Sequence, residues 1–139
     1  MMKRFYFLIF NLILILVMSC EGTEFSVKCS DCTKNEPYEA TLTCEISLNS
    51  QNGILVQIWE GKLEDNILVH SKQVFSSKTV KTTVALNKQY TITATYTIDN
   101  KTYVAVNSAT PRIVRSESKC DEECYYIYGN EVDLRLKYK

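Results

Sequence analysis

Downstream of residue 20, apolar and polar residues alternate with a period of two, which is the spacing of β-strands that bury one face. The clearest cases are residues 40–48, whose apolar positions start at Ala40, and residues 90–98, which alternate apolar side chains with four threonines. Similar runs predict further strands at 54–59, 67–75, 80–86 and 102–106. Because no segment after residue 20 has helical periodicity, the pattern predicts an all-β, antiparallel fold.

Residues typical of turns separate these runs. The cluster at residues 49–53 ends in Gly53, which can adopt a positive φ. Asp99 and Asn100 stand between two alternating runs and predict a hairpin. Pro111 predicts the exit from the strand at 102–106, because proline cannot donate to a strand ladder.

Two further apolar runs follow near the carboxyl end. Residues 125–128 and 132–138 flank Gly129 and Asn130, a pair that favours a turn. This pattern predicts an additional C-terminal β-hairpin.

The first nineteen residues have the three parts of a secretory signal peptide. Lys3 and Arg4 precede an apolar stretch that ends at Met18, and the small residue Ser19 follows. The apolar part has roughly 14 residues, whereas a membrane-spanning helix needs about 20. We therefore expect residues 1–19 to be a signal peptide and not a permanent anchor helix.

The end of this segment, Val17-Met18-Ser19-Cys20, resembles the lipobox of bacterial lipoproteins. The resemblance implies a lipid on Cys20, a short tether at residues 20–23, and attachment of a soluble domain to a membrane. Val17 and Met18 depart modestly from the commonest lipobox residues. Glu21 and Glu24 are similar to the acidic export tags of Bacteroidetes surface lipoproteins. The expected location is the cell envelope, at the outer membrane of a Gram-negative bacterium, on either its periplasmic or its surface face.

Two aromatic positions suggest a more specific fold. Trp59 lies in the expected strand at 54–59, and Tyr90, just before Ile92 and Ala94, occupies the place of a tyrosine corner. Residues 24–114 therefore resemble immunoglobulin-like and fibronectin type III domains. The resemblance implies an antiparallel β-sandwich with Trp59 and Tyr90 in its core. Residues 115–139 would form the cysteine-containing hairpin, packed on the same domain.

Six cysteines are present, and Cys20 is assigned to the lipid. Cys44 shares the apolar face of its strand and has no cysteine partner in residues 90–98, so we expect a buried free thiol. Two disulfides are expected among the remaining four: Cys29, Cys32, Cys120 and Cys124. Three connectivities stay open. Long-range pairing is favoured, because closing a loop of about 90 residues stabilises a domain by about 4 kcal/mol in chain-entropy theory.

The same four cysteines allow a different interpretation. The pairs Cys29/Cys32 and Cys120/Cys124 have spacings that suit a zinc site with four thiolate ligands. The first pair also has the CxxC spacing of redox proteins, although the helix that supports such chemistry is not predicted here. A metal-binding or redox envelope protein is therefore the alternative to two structural disulfides.

Charge and composition favour no catalytic or nucleic-acid function. The 139 residues carry sixteen basic and sixteen acidic side chains, so no basic field would attract nucleic acid. The single histidine, His70, neighbours Ser71, but adjacent strand residues point to opposite faces. We expect no cofactor and no enzymatic activity. The sequence favours a lipid-anchored accessory module that binds or organises a protein or glycan partner.

Overall fold

Strands dominate residues 32–116 and 124–137, the parts of the chain that the computed structural model describes. They are β1 (Glu39–Glu45), β2 (Ile54–Glu60), β3 (Ile67–Val74), β4 (Thr79–Ala85), β5 (Tyr90–Ile98), β6 (Lys101–Ala109), β7 (Arg112–Ser116), β8 (Cys124–Tyr128) and β9 (Glu131–Asp133). A single 3-10 turn at Leu63–Asp65 is the one helical element in these ranges. The predicted all-β class is confirmed. The predicted signal peptide at 1–19 and the tether at 20–23 lie outside the described residues.

The strands form three sheets. A three-stranded sheet has the order β4-β1-β9, and a four-stranded sheet has the order β3-β2-β5-β6. Strands β7 and β8 make a separate antiparallel pair. All pairings are antiparallel except that of β1 with β9, which is parallel.

The hairpin between β5 and β6 forms where the sequence predicts it. Asp99 has a φ of 50° and Asn100 a φ of 59°. Two successive positive φ values define the two-residue turn that matches the right-handed twist of the flanking strands, and Asx side chains tolerate them. The turn pairs Ile98 with Lys101 and thereby sets the register of the whole β5/β6 ladder.

One hydrophobic core collects side chains from both larger sheets. Leu42 and Cys44 of β1, Ile58 of β2 and Ile92 of β5 are fully buried. Because successive side chains of a strand point to opposite faces, the alternation in the sequence places every second residue in this core. Burial of each large apolar side chain contributes about 1.5–3 kcal/mol, which makes the core the main source of stability.

The expected C-terminal hairpin is wrong, although residues 125–128 and the beginning of the segment 132–138 do form strands. Strand β8 pairs with β7, and β9 adds to the edge of β1. Gly129 turns the chain with a φ of 68°, and a Cβ there would lie 2.8 Å from the carbonyl oxygen of Thr110. Asn130 then fixes the new direction: its side chain donates to the Thr41 carbonyl over 2.8 Å, and its carbonyl accepts from the Thr43 N–H over 2.8 Å.

Candidate functional site

A disulfide joins the two cysteine-containing segments. Cys32, which precedes β1, is bonded to Cys124, the first residue of β8, with 5.4 Å between their Cα atoms. Beside it, Thr33 and Tyr125 exchange two backbone hydrogen bonds of 2.9 Å. The two cysteines are 92 residues apart, so the bridge is of the long-range kind that the sequence analysis favoured. Cys29 and Cys120 lie outside the described residues, as does Cys20.

The four-cysteine metal alternative is difficult to reconcile with this bridge. Zinc binds cysteine as a thiolate, and the sulfur atoms of a disulfide are not thiolates. Within residues 32–116 and 124–137, no group of three or more histidine, cysteine, aspartate or glutamate side chains has the arrangement of a metal site. In this oxidised form, Cys32 and Cys124 act as a covalent link between the chain segment before β1 and β8.

Cys44 lies on the core side of β1 and forms no disulfide. Burial raises the pKa of its thiol to about 11, since the charged thiolate would lose its hydration. The thiol is therefore protonated at neutral pH and fills space as a small apolar side chain. A reactive cysteine would need the opposite shift in pKa.

Tyr90 connects two strands from within the core. Its side chain is 1% exposed, and its hydroxyl donates over 3.1 Å to the carbonyl oxygen of Ala85, five residues upstream. The bond ties the end of β4, in one sheet, to the start of β5, in the other. Burial is also the main cause of the raised pKa of Tyr90. Tyr90 therefore has the structural role that its position in the sequence suggested.

Trp59 does not lie in the core, which corrects the sequence-based expectation. On β2 the core positions are Ile54, Val56 and Ile58, so Trp59 points to the opposite face and is half-buried. The apolar run of β2 occupies both of its faces, so the sequence pattern alone could not tell which face is buried. The indole Nε1 is buried and makes no hydrogen bond to any described residue.

Trp59 belongs to the surface of the four-stranded sheet that points away from the core, which we call the outer face. The strand registers assign its members on β3, β2, β5 and β6. They are Leu68, Ser71 and Gln73 on β3; Leu55, Gln57 and Trp59 on β2; Thr91, Thr93, Thr95 and Thr97 on β5; and Thr102, Val104, Val106 and Ser108 on β6. None of these positions carries a charged side chain, although charged residues make up 23% of the chain.

The outer face combines one buried threonine with exposed aliphatic groups. Thr93, in its middle, is only 7% exposed. Leu68 at one side of the sheet is 47% exposed, and Val104 and Val106 at the other side are each 55% exposed. An uncharged surface of this kind can bury apolar area against a partner without removing water from a charge.

An acidic cleft lies elsewhere, on the surface of the paired strands β1 and β9. Its volume is about 260 Å³, and it is lined by Thr43, Glu45, Glu131, Val132 and Asp133. The guanidinium of Arg135 donates to both carboxylate oxygens of Asp133, over 2.9 and 3.0 Å, and lies 3.2 Å from a carboxylate oxygen of Glu45. These bonds hold the pKa of Asp133 far below its usual range. Asp133 is thus permanently ionised near neutral pH and is unsuited to exchanging protons with a substrate.

His70 and Ser71 do not form a catalytic pair. His70 lies opposite Ile58 on the core side of the sheet, half-buried, whereas Ser71 is exposed and lies opposite Gln57 on the outer face. The His70 Nε2 atom makes no hydrogen bond within the described part of the chain. The imidazole therefore cannot activate the Ser71 hydroxyl, which needs a direct hydrogen bond.

No helix among the described residues is long and apolar enough to cross a membrane. No protein-family model matches the chain, and searches of curated proteins and of solved structures give no significant match.

Proposed function

We propose that this protein is a lipid-anchored lipoprotein of the bacterial cell envelope whose immunoglobulin-like β-sandwich binds a protein partner through its outer face. The anchor is the lipid on Cys20, and the mature chain has no enzymatic activity. The alternative is a zinc or redox protein built on Cys29, Cys32, Cys120 and Cys124. A zinc site would need Cys32 and Cys124 as thiolates, and here they are joined in a disulfide.

The anchoring part of the proposal rests on the sequence. Lys3 and Arg4, the apolar stretch after them, and Ser19 directly before Cys20 are ordered as in bacterial lipoproteins. A lipid on Cys20 would be connected to the domain by roughly a dozen residues that end at the Cys32 disulfide. Burying acyl methylenes at about 0.8 kcal/mol each would hold the domain at the membrane surface.

Strand order supports the immunoglobulin-like scaffold. If β1 and β2 correspond to strands B and C of that fold, the order β3-β2-β5-β6 matches C′-C-F-G, and β4 beside β1 matches E beside B. Tyr90, at the start of β5, bonds a carbonyl a few residues upstream, as a tyrosine corner at the start of strand F does. Trp59 departs from the pattern, because the strand C tryptophan of that fold packs in the core.

One observation carries the binding function: the outer face has no charged side chain and has exposed aliphatic groups on both sides. Depletion of charge with retention of aromatic and apolar residues distinguishes the centres of protein interfaces. Threonine and glutamine side chains between the apolar ones can supply hydrogen bonds to a partner.

Intact mass spectrometry of the protein extracted from its native membrane tests the anchor. We expect a chain that begins at Cys20 and carries acyl groups, and we expect Cys20→Ala to move the protein out of the membrane fraction. Ser19→Ala, which keeps a small residue before the cysteine, is the matched control. Equal membrane association of the Cys20→Ala variant would contradict the proposal.

Photo-crosslinking in cells tests the binding face. A photoreactive residue in place of Leu68, on the outer face, should give a discrete protein adduct. The same residue in place of Lys81, which is exposed on the other sheet, should not. Adducts of equal yield at both positions would contradict the assignment of the face. Absence of a protein adduct, with retention of the protein on isolated envelope glycans, would indicate a glycan partner instead.

A further inference from the structure

The strand β6 lies at the edge of the four-stranded sheet, and among the described strands its backbone pairs only with β5. In antiparallel pairs, alternate residues exchange backbone bonds with the neighbour, while the residues between them direct N–H and C=O away. The two-residue turn makes Ile98 and Lys101 a bonded pair, so Tyr103 and Ala105 also bond to β5. The backbone groups of Thr102, Val104, Val106 and Ser108 therefore point to the open side.

One hydrogen bond supports this assignment independently. The Ser108 N–H is bonded to the side-chain oxygen of Asn107 over 2.8 Å and not to β5. The Asn107 amide in turn donates to the Asp133 carbonyl over 3.0 Å, so this end of the edge is capped. No described residue hydrogen-bonds to the outward N–H groups of Thr102, Val104 and Val106.

The two edges of the sheet differ in their protection against strand addition. On β3 the register shifts opposite Ile58 and Trp59, so that Val69 bulges out, and Lys72 follows. Bulges and edge lysines are common devices against edge-to-edge pairing. Strand β6 is regular over nine residues, and its only charge is Lys101 at the start. Within residues 32–116 and 124–137, no strand pairs with its outer edge.

We infer that the occupant is a second copy of this chain, paired through β6 about a two-fold axis at Ala105. This arrangement places Val104 opposite Val106 of the second copy, and Thr102 opposite Ser108. Aliphatic side chains therefore meet aliphatic ones, and hydroxyl side chains meet hydroxyl ones. Lys101 then lies opposite the uncharged Ala109, so no two like charges meet directly. Val104 and Val106 of the two copies exchange four backbone hydrogen bonds, and each Thr102 N–H reaches the Ser108 carbonyl across the axis.

The dimer joins two outer faces into one eight-stranded surface. The paired residues also belong to the outer face, so the inference deepens the proposed function. It rests on that function because the proposed membrane anchor raises the extent of dimerisation in the cell. A single strand pair buries little area, the regime of weak association. Attachment of both copies to one membrane raises their effective concentration without any new contact.

Sedimentation equilibrium of the full chain in density-matched detergent, across the micromolar-to-millimolar range, tests the pairing. We expect a reversible monomer–dimer equilibrium. Val106→Lys should weaken it by about tenfold or more, because the lysine meets Val104 of the second copy and lies near its own counterpart. Val104→Glu is a second single variant with the same expected direction. Val69→Lys, on the protected edge, is the matched control and should leave the equilibrium unchanged.

The double variant V104E/V106K tests the register. In the two-fold pairing, the glutamate at position 104 meets the lysine at position 106 of the other copy twice, so dimerisation should recover towards that of the original chain. A single-chain mass at every concentration would overturn the inference, as would equal effects of Val106→Lys and Val69→Lys. Failure of the double variant to recover would do the same. An unlipidated Cys20 would refute the proposed anchor while leaving this equilibrium as measured.

Discussion

The two faces of the four-stranded sheet are made by the same strands and differ almost completely. On β5, Tyr90, Ile92, Ala94 and Tyr96 are at most 1% exposed and meet the other sheet, while the threonines between them form the outer face. The inner face is therefore expected to determine stability and the outer face to determine association. Substitutions that differ by one residue along a strand separate these two roles.

The largest effect is expected at Tyr96, on the inner face. Its fully buried ring fills the core, and its hydroxyl donates to the Leu134 carbonyl over 2.7 Å and accepts from the Ser47 N–H over 3.3 Å. Tyr96→Ala should lower the free energy of unfolding by about 5 kcal/mol, since it leaves a cavity and unpaired backbone groups. Denaturant titration measures the change. Trp59→Ala is the control on the outer face, and an equal loss there would contradict the difference between the faces.

The next effect is a dependence of stability on pH through Cys44. Burial raises the pKa of its thiol from 9.0 to about 11. As the pH rises through this window, the unfolded chain loses the thiol proton and the folded chain keeps it, so stability falls with rising pH. The free energy of unfolding is expected to fall by about 2 kcal/mol by the upper end of this pH window.

Comparing slopes isolates this contribution. Burial also raises the pKa values of Tyr90 and Tyr96, and both add a loss of the same sign at the alkaline end. Cys44→Ala removes only the thiol, so its free energy of unfolding should fall less steeply from about pH 9 upwards. Identical slopes in the two proteins would show that Cys44 does not contribute.

A smaller effect is expected at Tyr90, where only a hydrogen bond is tested. Tyr90→Phe keeps the ring in the core and removes the donor to the Ala85 carbonyl. The expected loss of stability is about 1.5 kcal/mol, typical of a partly buried hydrogen bond whose acceptor is left unpaired. Thermal unfolding followed by circular dichroism would measure it. A variant as stable as the original chain would mean that the bond is not needed to join β4 to β5.

The smallest effect is expected at Thr95, one residue before Tyr96 but on the outer face. Thr95→Val removes a hydroxyl between Leu55 and Val104 and keeps the β-branched shape. Stability should stay within about 0.5 kcal/mol of the original value, as is usual for surface positions. A loss comparable with that of Tyr90→Phe would indicate that the outer face also supports the fold.

The sequence predicted the strands well where one face is apolar and the other polar. Strand β5 and its turn at Asp99 and Asn100 are found where the alternation places them. In β2, Leu55 and Trp59 are apolar but lie on the face that points away from the core. Both faces of β2 therefore carry apolar residues, and the pattern could not assign Trp59 to one of them. The charge-free outer face was missed for a related reason, because it depends on which residues of four strands share one side.

Pairings between distant segments were not predictable from local pattern. Strand β7 is short and follows Pro111, and nothing in its sequence specifies β8 as its partner. Gly129 and Asn130 have the composition of a hairpin turn, yet the turn is used to direct β9 to β1. The Cys32–Cys124 bridge was one of several possible connections, because spacing alone does not determine which cysteines meet in space.

The parallel pairing of β9 with β1 also affects the order in which the molecule can be completed. Thr43 pairs with Glu131, and the Leu134 N–H reaches the Glu45 carbonyl, so β1 depends on residues almost ninety positions downstream. Ribosomes make β1 first and β9 after every other described strand. Until then, one side of β1 has no partner and can pair with a strand of another chain. A chain that ends before Glu131 therefore leaves this side of β1 open to misassembly.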